Sequence, residues 1–374
     1  MTLSRRSFCH LFGVAAGLKL ANHLPHYGKP PGGDVSQRVI HLDRNENAYG
    51  PPAKVISAIQ KFASEANRYV SSERDSLTEA LARLHGVDQK QVLLGAGSTD
   101  VLRMAAQAFL SSQQPLVVAE PTYNGMEYYA GFTAAHVIRV PLTRELTHDL
   151  AAMRKRLNDS PGLVYLCNPS NPTGTITPKQ QIEAFLNGLP AKTTVLIDEA
   201  YHEYATNASN AYASFVHETR RNESLVVVRT FSKAYALAGL RLGYAIGSEA
   251  ALERMQRFSI QDCINRSVAR AGLAALDSQD AVEDSVKRTD DDRQEFFNQA
   301  TERMLKPIDS HANFVFMNVL RPAETVIDHY RRHGILLGPQ FPSMPNHARI
   351  SLGTPEEMHE FWRVWDLLPV IESM

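Results

Sequence analysis

The chain has 374 residues, of which 44% are hydrophobic, and 39 Lys and Arg balance 40 Asp and Glu for a formal charge of −1. That length can bury one large α/β domain and a smaller one, and the near-neutral balance excludes the basic footprint of a nucleic-acid binder. No run is long and apolar enough for a transmembrane helix, and three cysteines are too few for a disulfide framework.

At the N-terminus, Ser4-Arg5-Arg6-Ser7-Phe8 precedes a mildly apolar stretch, Leu11 to Ala21, and a Pro/Gly-rich linker, Pro25 to Gly33. Residues 1–33 resemble a bacterial twin-arginine signal, which exports proteins already folded, so a periplasmic or exported location is expected. The alternative is a leader helix that stays attached to a cytoplasmic protein, because Lys19 interrupts the apolar run. Strands are predicted at 92–94, 116–119, 136–140, 163–166, 194–198, 225–229 and 243–246. Helical stretches alternate with them, the pattern of a mostly parallel, doubly covered sheet.

Several polar segments follow these strands. After Val92-Leu-Leu comes Gly95-Ala96-Gly97-Ser98-Thr99-Asp100, with a helix from Val101, and free N–H groups at such a helix start bind phosphate. It is no dinucleotide fingerprint, since Asp100 stands where the third glycine belongs. Leu163 to Cys167 leads into Asn168-Pro-Ser-Asn171-Pro-Thr-Gly174, a tight loop stiffened by proline. Thr194-Val-Leu-Ile-Asp198-Glu-Ala-Tyr201 ends an apolar run in a carboxylate and then a phenol. Such a carboxylate can keep a pyridinium nitrogen protonated; Asn171 and Tyr201 could each donate to a ring oxygen.

The segment Thr230-Phe-Ser232-Lys233 to Arg241 carries the chemistry. A lysine that must form an imine needs a lowered pKa, which apolar surroundings and a nearby cation such as Arg241 provide. The hydroxyls of Thr230 and Ser232, with the Arg241 guanidinium, make a phosphate cradle beside that amine. An aldehyde that also carries a phosphate is pyridoxal 5′-phosphate (PLP).

Together these segments resemble fold-type I PLP enzymes of the class I/II aminotransferase group, in its histidinol-phosphate aminotransferase-like branch. The resemblance runs from Asn45-Glu-Asn47-Ala48-Tyr49-Gly-Pro51 through N-P-x-N-P-T-G, D-E-A-Y and S-K-x-x-x-L-A-G-L-R to Arg349-Ile-Ser-Leu-Gly-Thr-Pro-Glu-Glu-Met358. It implies a large domain with a seven-stranded, mostly parallel sheet at 65–255, a smaller α+β domain at 256–374, and an arm at 34–64 that joins the smaller one. It further implies that Lys233 forms the Schiff base and shuttles the proton, and that Asp198 pairs with the pyridine nitrogen. Asn171 and Tyr201 would bind the phenolic oxygen, and Tyr123 would stack on the ring. Ala96, Gly97, Ser98, Thr230, Ser232 and Arg241 would hold the phosphate. Tyr69 would reach it from the second subunit of a homodimer, Arg349 would grip the α-carboxylate of an amino-acid or 2-oxo-acid substrate, and Asn47 and Tyr49 would contact that substrate.

The chain departs from the branch in one telling place. Histidinol-phosphate aminotransferases carry an arginine shortly after the strand near Gly334-Ile-Leu-Leu337, and here Gly338-Pro-Gln-Phe-Pro342 stands instead. A transaminase for unphosphorylated amino acids is therefore expected, with a decarboxylase of the same fold and histidinol-phosphate transamination as alternatives. No metal site is expected: His329 and His333 lack a third ligand and flank Arg331-Arg332, and Thr289 to Arg293 is read as a solvated acidic face.

Overall fold

The computed structural model describes residues 39–69, 72–157, 162–190, 193–206 and 211–369; the leader and linker expected at 1–33 lie outside them. In chain order these residues form β1 (Ile40–Leu42), α1 (Ala53–Ala63), α2 (Ser72–His85), β2 (Val92–Gly95), α3 (Ser98–Phe109), β3 (Leu116–Glu120), α4 (Gly125–Ala130) and β4 (Val137–Pro141). Next come α5 (Leu150–Lys155), β5 (Leu163–Cys167), α6 (Lys179–Leu186), β6 (Thr194–Asp198), α7 (His202–Ala205), β7 (Leu225–Thr230), β8 (Gly243–Gly247) and α8 (Glu249–Gln256). The chain continues through α9 (Arg266–Leu276), α10 (Gln279–Glu302), β9 (Phe314–Asn318), α11 (Ala323–Arg332), β10 (Ile335–Leu337), β11 (His347–Ser351) and α12 (Pro355–Trp365).

The seven strands predicted from apolar runs build one sheet of order β2-β8-β7-β6-β5-β3-β4. Only β8 runs against its neighbours, β2 and β7. Both faces are covered, which is why these strands read as unbroken Val, Leu and Ile rather than alternating with polar residues. Val195, Ile197, Leu225 and Val227 join the core on one face, and Leu196, Val226 and Val228 the core on the other. Carried to the strand ends, this period of two sets Asp198 and Thr230 on one face and Glu199 and Arg229 on the opposite one.

A third core holds Leu42, Phe296, Val315, Met317, Tyr330, Phe361 and Trp362. Around it β9 pairs antiparallel with β11, and β1 pairs parallel with β10. The change of core does not fall at 255/256 as expected. Val268, Ala269 and Ala271 of α9 pack with the sheet, and α10, 24 residues or about 36 Å long, places Val282 and Val286 in that core and Phe296 and Ala300 in the third. A boundary inside one uninterrupted helix leaves no composition shift to read. The arm is likewise shared: β1 joins the smaller core, while Val55 of α1 belongs to the larger one.

Candidate active site

Asp198 closes β6 with 3% exposure. Its Oδ2 accepts the Tyr165 hydroxyl at 2.8 Å and its Oδ1 accepts the Ala200 N–H at 3.1 Å. Burial raises its carboxyl to about 6, against the lowering effect of those two hydrogen bonds. Tyr123, half-buried after β3, packs against the core that carries Tyr165. Gly125 lets it lie there, because a Cβ at 125 would stand 2.5 Å from Tyr123 Cε1.

Lys233 sits on the turn after β7, half-buried. Its Nζ donates to the carbonyls of Arg44 (3.0 Å) and Asn45 (2.9 Å) and lies 5.8 Å from the centre of the Tyr201 ring. Desolvation lowers its pKa to about 7; Arg349 and Arg241 add to the effect, while Glu46 and Asp198 oppose it. Arg349 thus outweighs Arg241, the cation to which the sequence points, among the neighbours that lower this amine.

At the start of α3, Gly97 adopts φ +81°, and a Cβ there would fall 2.2 Å from Arg241 Nη2. A Cβ on Gly243 would stand 2.3 Å from the Ser98 nitrogen. Two glycines therefore keep a guanidinium and a helix N-terminus in contact. Arg241 Nη1 donates to the Ala238 carbonyl at 3.0 Å and lies 3.4 Å from Ser232 Oγ, and Nη2 lies 3.4 Å from Thr99 Oγ1. Thr230 Oγ1 donates to Ser232 Oγ at 2.9 Å. The Ala96 N–H goes to Asp100 Oδ2 (3.1 Å) and the Gly97 N–H to the Gly95 carbonyl (2.7 Å). Of the predicted loop donors this leaves Ser98, joined by Thr99, with N–H groups that the helix cannot satisfy. Among the described residues no carboxylate pairs with Arg241, so cation, hydroxyls and helix start share one need, an anion.

Arg349 lies opposite Phe316 on β11 and is 8% exposed. Its Nη1 donates to Asn171 Oδ1 at 2.8 Å and its Nη2 to the Asp43 carbonyl at 2.6 Å. Its guanidinium lies 5.8 Å from the Phe314 ring centre and 5.9 Å from that of Phe341. Asn171 Nδ2 in turn donates to the Tyr201 hydroxyl at 3.2 Å. Arg349, Asn171, Tyr201 and Lys233, scattered over 179 positions in sequence by their numbers, thus form one connected cluster.

Other predicted residues stand elsewhere. Tyr69 is 85% exposed and, among the described residues, joins no part of this cluster. Asn47 and Tyr49 bind scaffold: Asn47 Nδ2 donates to Ser285 Oγ (2.9 Å) and the Ala234 carbonyl (3.2 Å), and Tyr49 donates to Asp292 Oδ2 (2.5 Å). They pin the arm to α10, which engages part of the acidic face read as solvated. His329 Nε2 meets the Val364 carbonyl and His333 Nδ1 the His329 carbonyl. Sequence reasoning missed Tyr165, Asn45, Asn313 and Ser351. Tyr165, a phenol inside an apolar strand, and Asn45 and Ser351, which stand within the quoted motifs, left signals that could have been used; Asn313 left none.

A family model, "Aminotransferase class I and II", matches residues 37–364. The chain is 32% identical over 327 residues to a histidinol-phosphate aminotransferase of Caldicellulosiruptor saccharolyticus, covering 87% of this chain and 90% of that one. The chain belongs to the class I and II aminotransferase family. This aminotransferase is also similar to the histidinol-phosphate aminotransferase of Sinorhizobium meliloti, solved with pyridoxal 5′-phosphate (TM-score 0.84, 26% identity, covering 93% of this chain and 97% of that one). A candidate histidinol-phosphate aminotransferase from Erwinia carotovora atroseptica superposes equally well (TM-score 0.84, 33% identity, 88% and 95% covered). The aminotransferase is a PLP-dependent enzyme with the fold-type I architecture. Its residues fit that cofactor: an anion cradle closed by glycines, a buried carboxylate for a ring nitrogen, and an amine held near neutrality. When bound, PLP supplies an electron sink for a carbanion at the substrate's Cα.

Proposed function

We propose that this aminotransferase moves the amino group of an unphosphorylated amino acid to a 2-oxo acid in two ping-pong half-reactions. Lys233 holds the cofactor between turnovers and then, released as a free amine, takes the proton from the substrate's Cα. Asp198 bears on the ring nitrogen, Asn171 and Tyr201 on the ring oxygen, and Tyr123 on the ring face. Ser98, Thr230, Ser232 and Arg241 bind the phosphate in a loop shaped by Ala96 and Gly97. Arg349 receives the α-carboxylate as a bidentate fork. The observation that carries this is the amine of Lys233, lowered to about 7 by desolvation and by the same Arg349 that would bind substrate.

The preference against phosphorylated donors rests on the segment after β10. Gly338 donates its N–H to the Arg349 carbonyl at 3.0 Å, and a Cβ there would lie 3.0 Å from Arg349 Nε. Residue 338 thus lies against Arg349 and offers no guanidinium of its own, and Phe341 places an aromatic ring 5.9 Å from the Arg349 guanidinium. Losing a charge-assisted contact costs about 1.5–3 kcal/mol, roughly one to two decades in specificity. Steady-state kinetics on a donor panel should therefore place histidinol phosphate below unphosphorylated amino acids. If it proves the best donor by a wide margin, the chain shares the specificity carried in its relatives' names.

The exposure of Tyr69 supports a homodimer in which each subunit lends this phenol to its neighbour's phosphate site. A fully active monomer at micromolar concentration, measured by sedimentation, would contradict it. Export through the twin-arginine leader is the proposed location, resting on Ser4 to Phe8. Fractionation of cells carrying Arg5→Lys with Arg6→Lys tests it: retention of the variant in the cytoplasm supports export, and an unchanged distribution opposes it.

A further inference from the structure

Asn45 lies in the arm ahead of α1 with 1% exposure and φ +52°, a left-handed conformation that asparagine tolerates better than most residues. All four of its polar atoms are engaged. Its N–H donates to Ser351 Oγ (2.8 Å), Ser351 Oγ donates to its Oδ1 (3.0 Å), and its Nδ2 donates to the Tyr201 hydroxyl (2.9 Å). Its carbonyl accepts from Lys233 Nζ (2.9 Å) and from Asn313 Nδ2 (3.0 Å).

The polarity of this network follows from its ends. A guanidinium only donates, so the Asn171 atom 2.8 Å from Arg349 Nη1 is oxygen, and Asn171 turns its NH₂ to Tyr201. Ser351 Oγ already accepts the Asn45 N–H, and among the described residues its proton has Asn45 Oδ1 as acceptor, so Asn45 also turns its NH₂ to Tyr201. Two amide donors occupy both lone pairs of one phenol oxygen. The hydroxyl proton of Tyr201 is left to point away from both amides.

We propose that Asn45 is a positioning residue: by filling the second lone pair of Tyr201, its side chain commits the tyrosine's proton to the cofactor's phenolic oxygen. This rests on the proposed roles of Tyr201 and Lys233. The charged and titratable groups around the pair are Arg349 and Asp198 beside both, Cys167 beside the tyrosine, and Glu46 and Arg241 beside the lysine.

The experiment compares Asn45→Gly, which accepts the left-handed backbone but deletes the amide, with Asn45→Asp, which keeps the shape and reverses the polarity. Three quantities are read: the dissociation constant of PLP from the apoprotein by equilibrium dialysis, the pH midpoint of the bound cofactor's visible absorbance, and the Tm of the apoprotein. Asn45→Gly should weaken PLP by about two- to twelvefold, the worth of one hydrogen bond, and move the midpoint to higher pH. Asn45→Asp should move it further up, because a carboxylate draws the Tyr201 proton to itself and its negative charge favours the protonated form of the Lys233 nitrogen. A lowered Tm with unmoved midpoint and affinity in both variants would overturn the proposal. Borohydride labelling of the wild type separates the failures: label on Lys233 with unmoved midpoints overturns the role of Asn45 alone, whereas label elsewhere overturns the cofactor assignment with it.

Discussion

Replacing Arg349 tests two linked consequences of one side chain. Its Nη1 and Nη2 make hydrogen bonds of 2.8 and 2.6 Å to Asn171 Oδ1 and the Asp43 carbonyl, and the residue is 8% exposed. These orient the fork, and two charge-assisted bonds to a carboxylate are worth about 3–6 kcal/mol together, or roughly two to four decades in kcat/KM. Arg349→Ala should lose that much, chiefly through KM, for every amino donor. It should also raise the Lys233 pKa above about 7, since Arg349 is the largest cause of the depression after desolvation. Lys233 acts as the neutral amine, so the rising limb of the pH profile should move to higher pH. Arg349→Lys retains the charge without the fork, so the limb should stay near its wild-type position while KM remains raised. Steady-state kinetics of both variants across pH, with one apolar and one acidic donor, separate these effects. Unchanged KM in Arg349→Ala, or a limb that moves equally in both variants, would refute the reasoning.

Tyr165→Phe removes the hydroxyl that holds Asp198 ionised, so the Asp198 pKa should climb from about 6 by roughly one to two units; the acid limb of kcat/KM should follow it upward, and an unmoved limb would exclude that coupling. Gly97→Ala forces a side chain into φ +81° and against Arg241, so PLP affinity measured by dialysis should fall by at least about tenfold with the fold retained by circular dichroism. Burial depresses His85 to about 3 and His148 to about 4. Their folded pKa values lie below the unfolded value, so the unfolded state binds more protons between them, and stability should drop as pH falls below about 6.5, by up to about 1.4 kcal/mol per pH unit for each histidine. Urea titrations from pH 7 to 4 check this, and a flat profile would contradict it.

The large sheet was legible because each central strand is an apolar run bounded by turn residues, and its chemistry sits where those runs end: Asp198 after Thr194-Val-Leu-Ile, Lys233 after β7. The smaller core was less legible. β1 and β10 are three residues each and β1 pairs across nearly 300 positions, which local pattern cannot anticipate. Within the site, residue type pointed to Lys233, Asp198, Tyr201 and Arg349, but hydrogen-bond direction depends on the third dimension. That is why the motif alone does not show that the Asn47 side chain ties the arm to α10 while Asn45, two residues away, meets Tyr201 and Lys233. Tyr165 falls inside a predicted strand, and its reach to Asp198 emerges only with the register of β5 on β6, which sets Asp198 opposite Cys167, two residues on.

The central claim is that Lys233 carries the cofactor, and chemical trapping tests it most directly. Purified protein reconstituted with PLP is reduced with borohydride, digested, and mapped by mass spectrometry. The pyridoxyl group should be found on the peptide containing Lys233, and Lys233→Ala should bind PLP without becoming labelled. Label on another lysine, or none in the wild type, would contradict the assignment.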